Sequence, residues 1–145
     1  MSSNLQKLRK KIKTTKGEDF ILTLHRYFIW ANRMRTHFDD CLKEKNESKE
    51  KNGFERIMYM SLWYAGLYVV CEGWAKLNLT DKSIDDLLKS KNLKLLKIYR
   101  HGVYHFQKEY YGKCFDRLIS EGDDVVRWVR SLNQAFGKYF LEWIK

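Results

Sequence analysis

The chain has 145 residues, a length typical of one domain that buries enough surface to fold without disulfide cross-links. Hydrophobic residues make up 44% of it and aromatic residues 15%, which excludes a disordered chain. Pro is absent, which favours long helices over a loop-rich β-sandwich. The 3 Cys are widely spaced, which argues against a structural zinc site or a disulfide framework.

We expect a cytoplasmic protein that makes no contact with a membrane. The first residues lack the apolar core of a secretory signal. The longest apolar stretch, residues 61–71, is too short to span a bilayer. The sequence contains no Gly-rich phosphate loop, and no cofactor is expected.

Positive charge is concentrated near the N-terminus. The formal net charge is +10, and residues 1–17 hold six basic side chains and no acidic one. These six are Lys7, Arg9, Lys10, Lys11, Lys13 and Lys16. We interpret residues 1–17 as a basic arm that either binds nucleic-acid phosphates or only solubilises the chain, and residues 18–145 as a single helical domain.

Two long helices are predicted in the first half of the chain. Apolar residues recur at steps of three and four over residues 19–42, which is the pattern of an amphipathic helix. Residues 43–51 alternate between positive and negative charges and contain no apolar residue, which predicts a solvated linker between helices. Residues 54–74 are apolar on nearly every face, which is typical of the central helix of a bundle.

The second half predicts shorter helices and one long final helix. Ser83 is the expected N-cap of a two-turn helix, and Asn92 the cap of a further helix that runs into Arg100. A short helical run at residues 114–119 precedes the final helix, which begins after Asp123. The predicted fold is therefore all-α, an antiparallel up-down bundle of four main helices with one or two short ones.

The densest polar cluster in an apolar context is residues 99–107, which contain Arg100, His101 and His105. Imidazole suits proton transfer near neutral pH, and the guanidinium fork suits phosphate oxygens. Together they can support phosphodiester cleavage. Arg100 and His105 would point about 140° apart on an ideal helix. We therefore expect a break at Gly102, or a helix end at Arg100, to let them act together.

The motif consists of Arg100, four intervening residues and His105, and it lies late in a small helical chain. In this it resembles the motif of the HEPN superfamily (higher eukaryotes and prokaryotes nucleotide-binding domains). The residue after the Arg is typically Asn, Asp or His in that family, and here it is His101. The motif covers only six residues. The chain also resembles this family in its predicted bundle of about four helices, in which the motif precedes the final helix, so the expected fold is HEPN-like.

The resemblance implies a metal-independent endoribonuclease whose product ends in a 2′,3′-cyclic phosphate. His105 would be the acid or base, Arg100 would stabilise the transition state, and His101 would orient His105 or contact the phosphate. The site would lie across the interface of a homodimer. RNA contacts would come from Tyr104 and Lys108. The basic arm would add Lys7, Arg9, Lys10, Lys11 and Lys13.

Non-catalytic interpretations stay open beside this one. The superfamily also includes inactive members and toxins paired with antitoxins, so an interaction or nucleotide-binding module with an antitoxin partner is an alternative. A groove that binds a small molecule away from Arg100 is another.

Structural interpretations of the motif also stay open. His101, His105 and Glu109 would share one face of a continuous helix as a metal site. Alternatively, His105 is a core histidine, and Arg100 pairs with Asp85, Asp86 or Glu109. Five aromatic residues surround the motif; such rings can stack on unpaired RNA bases, but at this density we expect them mainly in the core, with Tyr110 or Tyr111 facing the groove left open. The five are Tyr99, Tyr104, Phe106, Tyr110 and Tyr111.

Overall fold

The computed structural model describes residues 16–44 and 49–144, with side chains over 19–44 and 52–144, and this part of the chain is all-helical. Its helices are α1 (Lys16–Lys43), α2 (Lys49–Lys76), α3 (Lys82–Leu88), α4 (Asn92–Tyr104), α5 (Lys113–Glu121) and α6 (Val125–Ile144). The all-α prediction is confirmed, and the HEPN-like up-down order stays a prediction. Within these ranges no helix is long and apolar enough to cross a membrane.

Several helix boundaries differ from those expected. Helix α1 begins inside the predicted arm and α2 begins inside the predicted linker. Asp81 rather than Ser83 caps α3, because the Asp81 carboxylate accepts a hydrogen bond from the Ile84 N–H at 3.1 Å. The five arm residues assigned to RNA lie outside the described residues. They are Lys7, Arg9, Lys10, Lys11 and Lys13.

Asn92 is buried and joins two connections instead of capping α4. Its side-chain amide donates to the Asp123 carbonyl at 2.7 Å, and its amide oxygen accepts from the Asp123 N–H at 2.8 Å. Both backbone polar groups of Asp123 are thereby bonded next to the core, as buried backbone groups require. This pair of bonds anchors the start of α4 to the connection between α5 and α6.

Helices α1 and α2 pack closely in opposite directions. Ala31 of α1 faces Gly66, where an added Cβ would lie 3.1 Å from the Ala31 Cβ. Leu24, about two helical turns closer to the start of α1, packs against Gly73 near the end of α2. The two missing side chains let the backbones approach, which is why the glycines are tolerated inside a long helix.

Two buried tryptophans of the core have hydrogen-bonded indole nitrogens. Trp63 and Trp74 of α2 are almost fully buried against α6. The Trp63 indole N–H donates to Asn133 at 3.0 Å, and that of Trp74 donates to Asp85 at 3.0 Å. A buried indole without an acceptor would cost about 1–3 kcal/mol, so these bonds select one rotation of α6 and α3 against α2.

Asp39 is the centre of an ion-pair network between α1 and α6. It accepts from Arg130 at 2.7 and 3.4 Å and from Arg35 at 2.7 Å. Burial alone raises the pKa of this carboxyl, but the bonds and charges of Arg130 and Arg35 outweigh burial and lower the pKa below its usual value. The carboxylate therefore stays ionised between two guanidinium groups.

We predict that Asp39→Asn flattens the acid side of the stability profile. A carboxyl whose pKa is lower in the folded state stabilises the fold above its unfolded pKa of about 3.9, and this contribution is lost as the pH falls through the folded pKa. Urea unfolding from about pH 6 down to about pH 2 should show a smaller loss of unfolding free energy for the variant. Asp40→Asn, at an exposed neighbouring position, should keep the wild-type profile, and equal profiles for both variants would contradict the assignment.

Candidate functional site

The end of α4 brings two histidines together. The helix ends at Tyr104, and His105 is the first extended residue, with its N–H still bonded to the His101 carbonyl at 2.9 Å. The two imidazole rings stack with centroids 4.3 Å apart and planes 23° apart. Both side chains are exposed, so the interpretation of His105 as a core histidine is wrong. The site offers two solvent-accessible imidazoles in contact.

Helix α4 is continuous through Gly102, so the expected break there, or a helix end at Arg100, is wrong. Gly102 is buried against α5, where an added Cβ would lie 2.7 Å from the Cys114 Cβ and 3.2 Å from the Phe115 ring. The glycine is present because α5 packs closely over it, not because the helix is interrupted there.

Arg100 points toward α2, away from the histidine pair. Its Nη2 lies 3.8 Å from an oxygen of Glu72, and its guanidinium lies 5.1 Å from the centroid of the Tyr68 ring. The distance to Glu72 exceeds a hydrogen bond. The buried Nε has no hydrogen-bond partner among the described residues. Glu72 replaces the expected acidic partners, which were Asp85, Asp86 and Glu109.

Arg100 and His105 line neighbouring grooves. The first, here the α1–α2 groove, has a volume of about 430 Å³ and is lined by Trp30, Arg100 and Tyr104 among others. The second, here the α4–α5 groove, has a volume of about 540 Å³ and is lined by Tyr104 and His105 among others. Tyr104 lines both. Within a single chain, the two motif residues therefore line two neighbouring grooves rather than one.

The expectation that the aromatic residues around the motif lie in the core is correct only for Tyr99. That side chain is 2% exposed and shares a hydrogen bond of 2.9 Å with Ser61. The other four form an exposed group, here the aromatic surface. It consists of Tyr104, Phe106, Tyr110 and Tyr111. Phe106 is 93% exposed, which is unusual for so large an apolar side chain.

Charged groups flank this surface without forming a metal site. Lys108 is exposed in the connection between α4 and α5. The α4–α5 groove also contains the carboxylates of Glu109 and Asp116. Because α4 ends at Tyr104, Glu109 does not continue its helical face. The described ranges hold no group of three or more His, Cys, Asp or Glu side chains that could bind a metal ion.

No family model, no curated protein and no solved structure matches this chain. The candidate site therefore rests on its own geometry. Sequence reasoning found Arg100, His101 and His105 but missed Glu72 and Trp30. Those two lie on α2 and α1, and only the packing of these helices against α4 brings them beside Arg100.

We predict that the same substitution has opposite effects at two helical glycines. Gly53→Ala has no atom within 4 Å of the new Cβ and should stabilise the protein by about 1 kcal/mol through helix propensity. Gly102→Ala should destabilise it by about 1–3 kcal/mol, because the new Cβ overlaps Cys114. Urea unfolding measures both changes. Stabilisation by Gly102→Ala would show that α5 does not pack on this glycine.

Proposed function

We propose that this protein is a HEPN-like endoribonuclease that binds single-stranded RNA and cleaves it without a metal ion. The observation that carries the proposal is the exposed pair of imidazoles at the end of α4, 4.3 Å apart. Two imidazoles in contact can take one proton and donate another in the same reaction. Arg100, on the adjoining groove, supplies a permanent positive charge.

The proposed reaction is an internal transfer of the phosphoryl group. The ribose 2′-oxygen attacks the adjacent phosphorus, and its proton passes to one neutral imidazole of the pair. The bond from phosphorus to the 5′-oxygen breaks, and that oxygen takes a proton from the other, protonated imidazole. The products are a 2′,3′-cyclic phosphate and a 5′-hydroxyl. Arg100 stabilises the charge that develops on the phosphate oxygens.

The separation of Arg100 from His105 in one protomer favours a site shared by two copies. In a two-fold dimer formed through the aromatic surface, the α4 ends of both copies would face each other. Each phosphate would then contact the imidazole pair of one copy and the guanidinium of the other. The long distance from Arg100 to Glu72, 3.8 Å, leaves donors of the guanidinium free to bind phosphate.

RNA bases would stack on the exposed aromatic side chains beside the site. Tyr104 borders both grooves, and Trp30 is 57% exposed with the Arg26 guanidinium 5.2 Å from its ring centroid. An aromatic ring next to a cation suits an unpaired base and its phosphate. Lys108 and the basic arm would add phosphate contacts, and these make binding depend on salt.

We predict that removal of either imidazole strongly slows cleavage. With end-labelled single-stranded RNA in EDTA, the protein should produce 2′,3′-cyclic phosphate ends. His101→Ala and His105→Ala should each lower the rate by about 10²-fold or more, since each removes one proton-transfer group. Arg100→Ala should lower it by about 10²-fold through lost charge stabilisation.

Two matched variants control this experiment. His37→Ala removes a histidine of α1 that stacks on Tyr59, and Arg127→Ala removes an exposed arginine of α6. Both should cleave at the wild-type rate. Cleavage that survives the double change His101→Ala with His105→Ala, or that stops in EDTA, would contradict the proposed mechanism.

The exposed aromatic surface favours a second candidate function, a non-catalytic interaction module. Phe106 at 93%, Tyr111 at 75% and Ile119 at 74% exposure border one groove. A contiguous apolar group of this kind marks a protein interface. The partner would be a second copy in the nuclease proposal, or an antitoxin in a toxin–antitoxin or defence system.

We predict a dimer that is dissociated by a single charge placed in the α4–α5 groove, where both Phe106 and Ile119 are exposed. Sedimentation velocity should give a dimer for the wild type and a monomer for Phe106→Asp and for Ile119→Asp, since each would bury a carboxylate in an apolar interface. Val126→Asp, at a 63% exposed position of α6, should stay dimeric. A monomeric wild type would rule out the shared site and leave the aromatic surface to a different partner.

A further inference from the structure

A third groove lies between α1 and α6 and shares no lining residue with the other two. Here called the α1–α6 groove, it has a volume of about 520 Å³. The helices run in opposite directions along it, since His25 packs on Phe140 with ring centroids 5.1 Å apart and Asn32 bonds Asn133 at 3.0 Å. From His25 to Arg35 the groove spans about 15 Å at the helical rise per residue.

One end of the groove is apolar. It is lined by Phe28, Ile29, Gly137, Phe140, Leu141 and Ile144. Gly137 keeps the floor open, because a Cβ there would touch the Phe28 ring at 3.4 Å. Burial lowers the pKa of the half-buried His25 at this end, so its imidazole is neutral at physiological pH. This end therefore offers apolar contacts and no cation.

The opposite end carries two cations that share one anion. Arg35 and Arg130 both bond Asp39, which leaves this trio with a net charge of +1. Contacts with neighbouring side chains hold both guanidinium groups in place. The Arg35 Nε donates to Asn32 at 2.8 Å, and the Arg130 guanidinium lies 5.4 Å from the centroid of the Trp63 ring. Each guanidinium keeps donors that Asp39 does not use.

We propose that the α1–α6 groove binds an amphipathic anion, with an apolar chain over Phe28 and Phe140 and a carboxylate held by Arg35 and Arg130. The groove is complementary to such a ligand along its length, because its apolar walls lead to two oriented guanidinium groups that share one carboxylate and keep a net positive charge. A fork of this type suits a carboxylate, and its fixed position lowers the entropic cost of binding. The proposal is independent of the nuclease activity.

The test uses decanoate as the probe, with decanol and decyltrimethylammonium as neutral and cationic analogues. Isothermal titration calorimetry should show binding of decanoate, about tenfold weaker binding of decanol, and the weakest binding for the cation. Amide NMR spectra should place the decanoate shifts on α1 and α6. Equal affinity for decanoate and decanol, or shifts confined to the α4–α5 groove, would overturn the proposal.

Variants distinguish binding at the two arginines from attraction to the protein's overall positive charge. Arg35→Gln and Arg130→Gln should each weaken decanoate by about tenfold, whereas Arg127→Gln removes the same charge from an exposed position of α6 and should change nothing. Gln134→Glu leaves Arg35, Asp39 and Arg130 in the sequence but places a carboxylate at an exposed position of the groove, and it should also weaken binding by repelling the decanoate carboxylate and competing for Arg130. An equal loss for Arg127→Gln, or no loss for Gln134→Glu, would overturn the assignment.

Discussion

Trp63 lies where α1, α2 and α6 meet, and the need to satisfy its buried indole N–H organises much of the fold. The side chain is 1% exposed, so its donor cannot reach water, and it bonds Asn133 of α6. Asn133 in turn donates to Asn32 of α1. One indole therefore sets the rotation of two helices at once, because any other rotation leaves a buried donor or amide without a partner.

The same packing decides what the surface of α4 presents. Tyr99 is held against α2 by Ser61 and against α5 by the Phe115 ring, with centroids 5.4 Å apart. With Tyr99 turned inward, the next position directs Arg100 toward α2, and the position after that directs His101 to solvent. The histidine pair and the arginine are thus presented on adjoining grooves by one helix whose inner face is fully packed.

The two proposed sites use cations in different ways. Arg100 lies 3.8 Å from its ion-pair partner Glu72, beyond hydrogen-bond distance, so its terminal guanidinium nitrogens keep donors for a phosphate. Arg35 and Arg130 are tightly paired with Asp39, and their surplus charge is presented at the end of an apolar groove. The first arrangement suits the charge that develops during a reaction. The second suits the resting carboxylate of a ligand.

Sequence alone determined the helical class, the long helices and the residues of the motif. Steps of three and four between apolar residues predicted α1 and α6, and a segment apolar on nearly every face predicted α2, because such patterns are properties of the chain itself. Their ends were less certain. The run of charged residues expected to form a linker supplies the start of α2. Asp81 caps α3 in place of Ser83, because Asp and Ser side chains can both accept the capping hydrogen bond.

Only the tertiary structure decided the surroundings of the motif. Whether Gly102 breaks a helix or admits a neighbour depends on α5, which packs over it. Whether an aromatic residue is buried depends on what covers it, and four of the five around the motif are left uncovered. The Arg100–Glu72 contact and the Arg130–Asp39 ion pair each join helices that are distant in the chain. Local periodicity carries no information about such contacts, because they depend on how helices pack rather than on how each one forms.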